Sequence, residues 1–222
     1  GIIDDDTQDF KEFIFEGDDV TERLGILKWE PPQEFLAANA KGTFPSFIPK
    51  TDQERIQNLK QSEIQSFIDD GVEFERTEKI DGSSMTVFIK DGVVGVCSRN
   101  LELKEDENNT FWKTAKSSGA VDALLDIHGS LAFQGELVGP GIQGNSYELT
   151  EHSFVVYDIY DIDLQKYMLP DTVVQLCKNF GLAHVPVLES FTWTTETVAE
   201  LLKRAEGMSE LWKTPREGDV YK

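Results

Sequence analysis

Cysteine is almost missing from this chain of 222 residues: Cys97 and Cys177 are the only two, far apart and without a CxxC pair. A disulfide is therefore not expected, and buried free thiols in an intracellular setting are the simpler reading. Histidine is scarce as well. His128, His152 and His184 stand singly with no metal-ligand spacing, and read as structural or surface residues. No apolar run approaches the ~20 residues that cross a membrane, and no charged-then-apolar leader opens the chain. Its first residues, Gly1 and two isoleucines followed by three aspartates, read as a fragment boundary. Cations are in deficit too: 21 Lys and Arg face 41 Asp and Glu, a formal charge of −20. Phosphate contacts need lysine and arginine at the contact surface, so composition lends nothing to a nucleic-acid partner. Such a claim has to come from motifs.

What is present is a core. Hydrophobic residues make up 39% and aromatics 10%, enough for one large domain or two small ones. Residues 1–35, acidic and then turn-rich up to Pro31-Pro32, read as a linker or the tail of a preceding unit. Residues 36–222 read as one domain. Phe44 to Lys50 is expected to be extended. Thr51-Asp52-Gln53-Glu54 has the form of a capping box, opening a helix whose apolar face is Ile56, Leu59, Ile64 and Phe67 and which stops at Gly71. Val72 to Lys79 alternates as a strand. Ser84 to Ile89 and Val93 to Cys97 flank Asp91-Gly92 as a hairpin. Residues 110–127 read as a helix, Leu131 to Val138 and Ser153 to Ile162 as strands. Pro170 to Phe180, closed by Gly181, and Thr195 to Ala205, closed by Gly207, read as helices. Glu217 to Lys222 starts a strand. No repeat or low-complexity tract appears. Strand-rich segments with separate helices predict an α+β fold with antiparallel sheets.

The chemistry concentrates at Glu78-Lys79-Ile80-Asp81-Gly82-Ser83. A lysine beside a tight turn can be a covalent nucleophile, and the adjacent aspartate can help to position a metal. Alone, the pattern reads equally as a hairpin turn, since Asp-Gly is a common turn dipeptide. Four later segments change the balance. They are Ser98-Arg99-Asn100, Phe133-Gln134-Gly135-Glu136-Leu137, Phe154-Val155-Val156-Tyr157-Asp158, and Glu217-Gly218-Asp219-Val220-Tyr221-Lys222. Each has a bland reading as a surface pair, an edge charge, core or a solvated turn.

Taken in order, the five segments resemble motifs I, Ia, III, IIIa and IV of the covalent nucleotidyltransferases, the superfamily of ATP-dependent polynucleotide ligases and mRNA capping enzymes. The resemblance runs from about Phe47 to Lys222. DNA ligases and capping enzymes usually carry arginine two residues after the motif I glycine, where this chain has Ser84. The pair Ser83-Ser84 and the acid Glu78 before the lysine resemble the RNA ligase branch. Val20-Thr21-Glu22-Arg23-Leu24-Gly25 through Pro31-Pro32 resembles the segment that joins an N-terminal OB domain to the transferase domain in one RNA ligase group.

The resemblance implies a ligase adenylation fold, with two or more mainly antiparallel sheets flanked by helices and the nucleotide site between them. It implies an ATP-dependent RNA ligase joining 5′-phosphate and 3′-hydroxyl RNA ends, or a nick with an RNA 3′-hydroxyl, through lysyl-AMP and an RNA-adenylate. Lys79 would be the nucleophile. Asp81, Glu136 and Glu217 would hold Mg²⁺ or Mn²⁺, an ion suited to oxygen ligands; Glu136 would alternatively bind a ribose hydroxyl. Glu78 would read the adenine amino edge beside Ile80, Phe154 and Val220 would sandwich the base, and Arg99 would contact the ribose or the nucleic-acid end. Lys222 would contact the nucleotide, and Lys50 and Arg55 the β- and γ-phosphates. The family's motif V, with its paired lysines, does not appear before Lys222, so the reading is of a monomeric transferase domain that stops after motif IV. The rival readings are a DNA ligase or capping guanylyltransferase, and a nucleotide-binding module without chemistry.

Overall fold

The structure, a computed structural model, describes residues 39–51 and 53–222. The expected tail over 1–35 and Asp52 of the expected capping box lie outside the described residues. Two sheets organise the rest. The larger has eight strands: β1 (Ala40–Thr43), β3 (Ser83–Lys90), β4 (Val93–Ser98), β5 (Leu101–Leu103), β6 (Leu131–Val138), β7 (Ser153–Asp161), β8 (Lys166–Tyr167) and β9 (Ala183–His184). Its path is β1-β5-β4-β3-β6-β7-β8, all antiparallel, with β9 added to β7 in parallel. The smaller sheet has β2 (Glu73–Lys79) at its centre between β10 (Val187–Thr192) and β11 (Gly218–Tyr221), antiparallel on both sides. The α+β expectation with antiparallel sheets is met.

Alternation of side chains decides what each face buries. On one face of the large sheet, Met85, Val87, Val96, Phe133, Leu137, Phe154, Val156 and Ile159 form the main core. They are covered by helices α2 (Thr110–Ser117), α3 (Ala120–Asp126) and α4 (Pro170–Phe180), which supply Trp112, Ala115, Leu124, Val173 and Cys177. The opposite face carries two smaller apolar clusters, one around Ile48, Phe88 and Tyr160 and one around Ile80, Val138, Tyr147 and Val155. On the small sheet, Phe74, Phe191 and Tyr221 pack beneath α1 (Gln61–Asp69) and α5 (Val198–Ala205), against Ile64 and Leu201.

Several local expectations are corrected. Phe44 to Lys50 is not extended throughout: the Ile48 amide donates to Pro45 O and closes a turn. The helix expected from Thr51-Asp52-Gln53-Glu54 starts ten residues later at Gln61, where the Glu63 carboxylate reaches back to the Lys60 amide at 2.7 Å. Ile56 and Leu59 still pack with Ile64 and Phe67, from a short 3₁₀ turn at Ile56–Asn58. The helix over 110–127 is two helices, because Gly119 takes φ +80° between them, a conformation that L side chains resist. The helix expected from Thr195 begins at Val198, with Thr197 as its cap and Glu200 completing the box. Strands β1, β5, β8, β9 and β10 carried too little alternation or length to be read beforehand.

Candidate active site

Lys79 ends β2 and faces the large sheet. In the β2–β11 ladder Lys79 lies opposite Gly218 and Thr77 opposite Val220, while the Lys222 backbone exchanges hydrogen bonds with Glu75. Thr77, Lys79, Val220 and Lys222 therefore share one face of the small sheet. Arg76 and Asp219 share the other, where Arg76 pairs with Asp219 at 2.8 Å and Arg216 with Asp219 at 3.1 Å. The Lys79 ammonium donates to the Glu217 carboxylate in an ion pair whose partners are both partly exposed.

After Lys79 the chain crosses between sheets through Ile80, Asp81 and Gly82. Ile80 is buried. Gly82 has no room for a side chain: a Cβ there would lie 2.6 Å from Leu137 O. The glycine lets the turn press onto β6, and it brings the Lys79 turn beside Glu136, which pairs with Ser84 across β3 and β6. Burial pushes the Glu136 carboxyl up to about 8; Lys79 and Arg99 pull it down while Glu217 and Asp81 push it further up. The three acids expected to bind a metal, the lysine expected to be the nucleophile and Arg99 thus act on one another electrostatically.

The acids do not converge. No group of three His, Cys, Asp or Glu among the described residues is arranged to hold a metal. Glu217 is engaged with Lys79, and Asp81 lies 3.5 Å from Ser146 Oγ. An all-oxygen set of carboxylates is the donor type that suits a hard divalent ion.

Across from Lys79, strand β7 carries a bulge. Gln134 pairs with Asp158 but the next residue, Gly135, pairs with Val156, so Tyr157 is the extra residue. Val156 and Ile159 point into the main core, and the bulge turns both Tyr157 and Asp158 towards the small sheet. Lys222 donates to Tyr157 O and to Asp158 Oδ1 at 3.0 Å, with its ammonium 5.2 Å from the Tyr157 ring centroid. Burial raises the Tyr157 hydroxyl well above its ordinary range, opposed by hydrogen bonds with Thr51 and Ser84. Thr51 and Ser84 themselves lie 3.4 Å apart.

The remaining expected residues fall unevenly. Phe154 is 1% exposed inside the main core, on the face of β7 away from Lys79. The residue that presents a ring to the Lys79 side is Tyr157, three positions on. Glu78 is also 1% exposed; its Oε2 accepts from the Glu210 amide at 2.8 Å, and its Oε1 is buried with no hydrogen-bond partner among the described residues. Lys50 donates to Asn100 Oδ1 at 2.9 Å, which sets it beside the exposed turn that holds Arg99. Arg55 is exposed before the 3₁₀ turn and makes no ion pair among the described residues. Tyr147, Tyr157 and Asp158 are the site's neighbours that sequence reasoning did not single out for a role.

Comparison with known proteins bears on the family and the fold. A family model described as RNA ligase matches residues 72–222. Among solved structures, a variant of the Naegleria gruberi RNA ligase with AMP and Mn is 43% identical, with a TM-score of 0.80, over 93% of this chain and 62% of that one. A variant of the same ligase with ATP and Mn is 44% identical over 93% of this chain and 61% of that one, TM-score 0.79. The same ligase with PPi is 44% identical over 93% and 62%, TM-score 0.78. The chain thus spans about three-fifths of the length of the ligase chains it matches. A comparison with curated proteins gave no match.

Proposed function

The chain belongs to the RNA ligase family, and from that membership and the geometry of its site we propose that it forms a covalent lysyl-AMP from ATP as the first step of joining RNA ends. The observation that carries the proposal is the meeting of the two sheets at Lys79. The ammonium faces Glu217, Val220 and Lys222 lie on its own face of the small sheet, and the Glu136 carboxyl opposes it from β6.

In the proposed step the neutral Lys79 amine attacks the α-phosphorus, a P–N bond forms, the bond to the β-phosphate oxygen breaks, and pyrophosphate leaves. The Lys79 ammonium must first leave Glu217 and give one proton to water, and a second N–H proton passes to water as the P–N bond forms. Asp81, Glu136 and Glu217 would hold Mg²⁺ or Mn²⁺, which supplies neutralisation of charge on the phosphates. The solved relatives that hold AMP with Mn, ATP with Mn, and PPi support the ion and this half-reaction. Glu78 Oε1, a buried acceptor without a hydrogen-bond partner among the described residues, suits the adenine amino group. Tyr157 and Val220 offer the flat and apolar surfaces that flank a base, with Tyr157 taking the place first given to Phe154. Lys222 and Arg99 are the cations for the nucleotide and the RNA end, and Lys50 and Arg55 are assigned to the outer phosphates. AMP then passes to a 5′-phosphate, and a 3′-hydroxyl displaces it to seal the strand. Residues 36–222 are the transferase domain in this reading.

The test is a protein–AMP adduct from ATP labelled at the α-phosphate, in the intact protein with Mg²⁺ or Mn²⁺. Wild type is expected to label, and Lys79→Ala, which lacks the amine that forms the P–N bond, to give no adduct. A Lys79→Ala protein that still labels overturns the proposal. Nicked duplexes with RNA or DNA 3′-hydroxyl strands, run side by side, decide the polynucleotide; sealing of DNA in preference to RNA overturns the RNA assignment.

A further inference from the structure

Residues 139–149, between β6 and β7, hold a costly conformation. Gln143, Asn145 and Glu148 all take positive φ, at 43°, 52° and 54°, and each such non-glycine residue persists only where its surroundings enforce it. Asn145 supplies part of that enforcement: its Nδ2 donates to Leu149 O at 2.9 Å and its Oδ1 accepts from the Leu149 amide at 3.1 Å.

The loop is spent on the turn that follows Lys79. The buried Tyr147 hydroxyl accepts from the Asp81 amide at 2.7 Å. Gln143 Nε2 donates to Gly82 O at 3.3 Å, and Ser146 Oγ donates to Asp81 Oδ2 at 3.5 Å. A second segment grips the chain just before Lys79. In residues 207–216, between α5 and β11, Ser209 Oγ accepts from the Leu211 and Trp212 amides at 3.1 Å each. That bend presents the Glu210 amide to Glu78 Oε2. The two segments meet: the Tyr147 and Trp212 rings lie 4.1 Å apart, centroid to centroid, tilted by 32°.

From this we infer that Tyr147 is a positioning residue for the nucleophile, fixing the backbone after Lys79 through the Asp81 amide and, through Trp212, tying that turn to the segment that holds Glu78. The inference rests on the lysyl-AMP reading. Its physical basis is that phosphoryl transfer needs the attacking nitrogen in line with the leaving oxygen, and small misplacements cost rate. Lys79 itself is half-exposed on a long flexible side chain, so the backbone at 78–82 is what sets its origin.

The test uses Tyr147→Phe, which removes the hydroxyl acceptor and keeps the ring on Trp212. Single-turnover adenylylation and its reversal by pyrophosphate are measured in the intact protein at a temperature where both proteins are fully folded. Lysyl-AMP formation at saturating ATP is expected to slow about fivefold to tenfold, the reverse reaction by the same factor, and the ATP concentration for half-saturation to stay put. The exposed Gln143→Ala, removing one weaker bond to Gly82 O, is expected to slow both directions by about threefold. A Tyr147→Phe protein with wild-type rates in both directions overturns the inference, and so does one that only weakens ATP binding. A wild-type protein that forms no adduct overturns the lysyl-AMP reading itself, a result separate from an adduct that forms equally well in wild type and variant.

Discussion

The two faces of the large sheet come from the same strands and are built on opposite terms. Along β6, Phe133 and Leu137 enter the helix-covered core, while Gln134 and Glu136 between them face the other way. Along β7, Val156 and Ile159 enter the core, while Tyr157 and Asp158 face the small sheet. The first face is apolar and dry. The second holds a polar strip of Ser84, Thr86, Gln134, Glu136, Tyr157 and Asp158 between two small apolar clusters. Burying a polar group costs free energy unless it is partnered. Gln134 Nε2 donates to Pro49 O and Asp158 accepts from Lys222, but Gln134 Oε1 has no partner among the described residues, so the second face is only partly compensated and leans on the stability of the first.

That division predicts separable failures. On the dry face, Phe133→Ala removes a ring that is fully buried beneath α2 to α4. The expected cost is about 3–5 kcal/mol of stability, read as a fall in the denaturation midpoint, with the adenylylation rate per folded molecule unchanged. A rate that falls while the protein remains folded would show that the dry face also tunes the site.

The mirror change is Asp158→Asn. It leaves the strand and bulge in place but takes away the carboxylate that Lys222 meets at 3.0 Å, with both side chains mostly buried. Adenylylation is expected to fall about tenfold as Lys222 loses its fixed position, while Tm falls by no more than about 4 °C. A large Tm loss at unchanged rate would assign Asp158 to the joint between the sheets and take it out of the chemistry.

How far the site could be read in advance follows from the same alternation. Lys79, Val220 and Lys222 share a face because each strand is straight and its period is two, and the Glu217 to Lys222 strand was readable for that reason. The β7 side was not. Phe154 and Tyr157 are three residues apart, so a straight strand would put them on opposite faces, and nothing in Phe-Val-Val-Tyr-Asp says which faces Lys79. The bulge that sends both Tyr157 and Asp158 to one side is fixed by pairing with Gln134 and Gly135, more than twenty residues earlier. Tyr147 was hidden for a similar reason: it meets Asp81 across 66 residues of sequence, through a loop whose positive φ values fall on Gln, Asn and Glu as well as glycine. Helix starts failed where local capping signals competed. Glu63 at Lys60 won over Thr51-Asp52-Gln53-Glu54, and Gly119 divided a helix whose apolar spacing ran straight through it.

The smallest effect concerns His184 on β9, behind the bulge. Burial is the main cause holding its imidazole down to about 4, assisted by the Lys222 ammonium and opposed by a hydrogen bond to the Val185 backbone. A base with a depressed folded value stays neutral in the native protein while the unfolded chain takes up a proton below its ordinary 6.5. Its contribution is therefore intact above about 6.5 and is lost as pH falls from there towards about 4. The carboxyls of Glu136 and Asp158, whose folded values are raised, work in the opposite sense as pH falls, since the native state then binds the extra proton. The difference between proteins separates the two. Compared with wild type, His184→Gln is expected to lose less Tm between pH 6.5 and pH 4.5. Parallel Tm profiles for the two proteins would mean that His184 titrates freely and that the wet face extends behind β7 as far as β9.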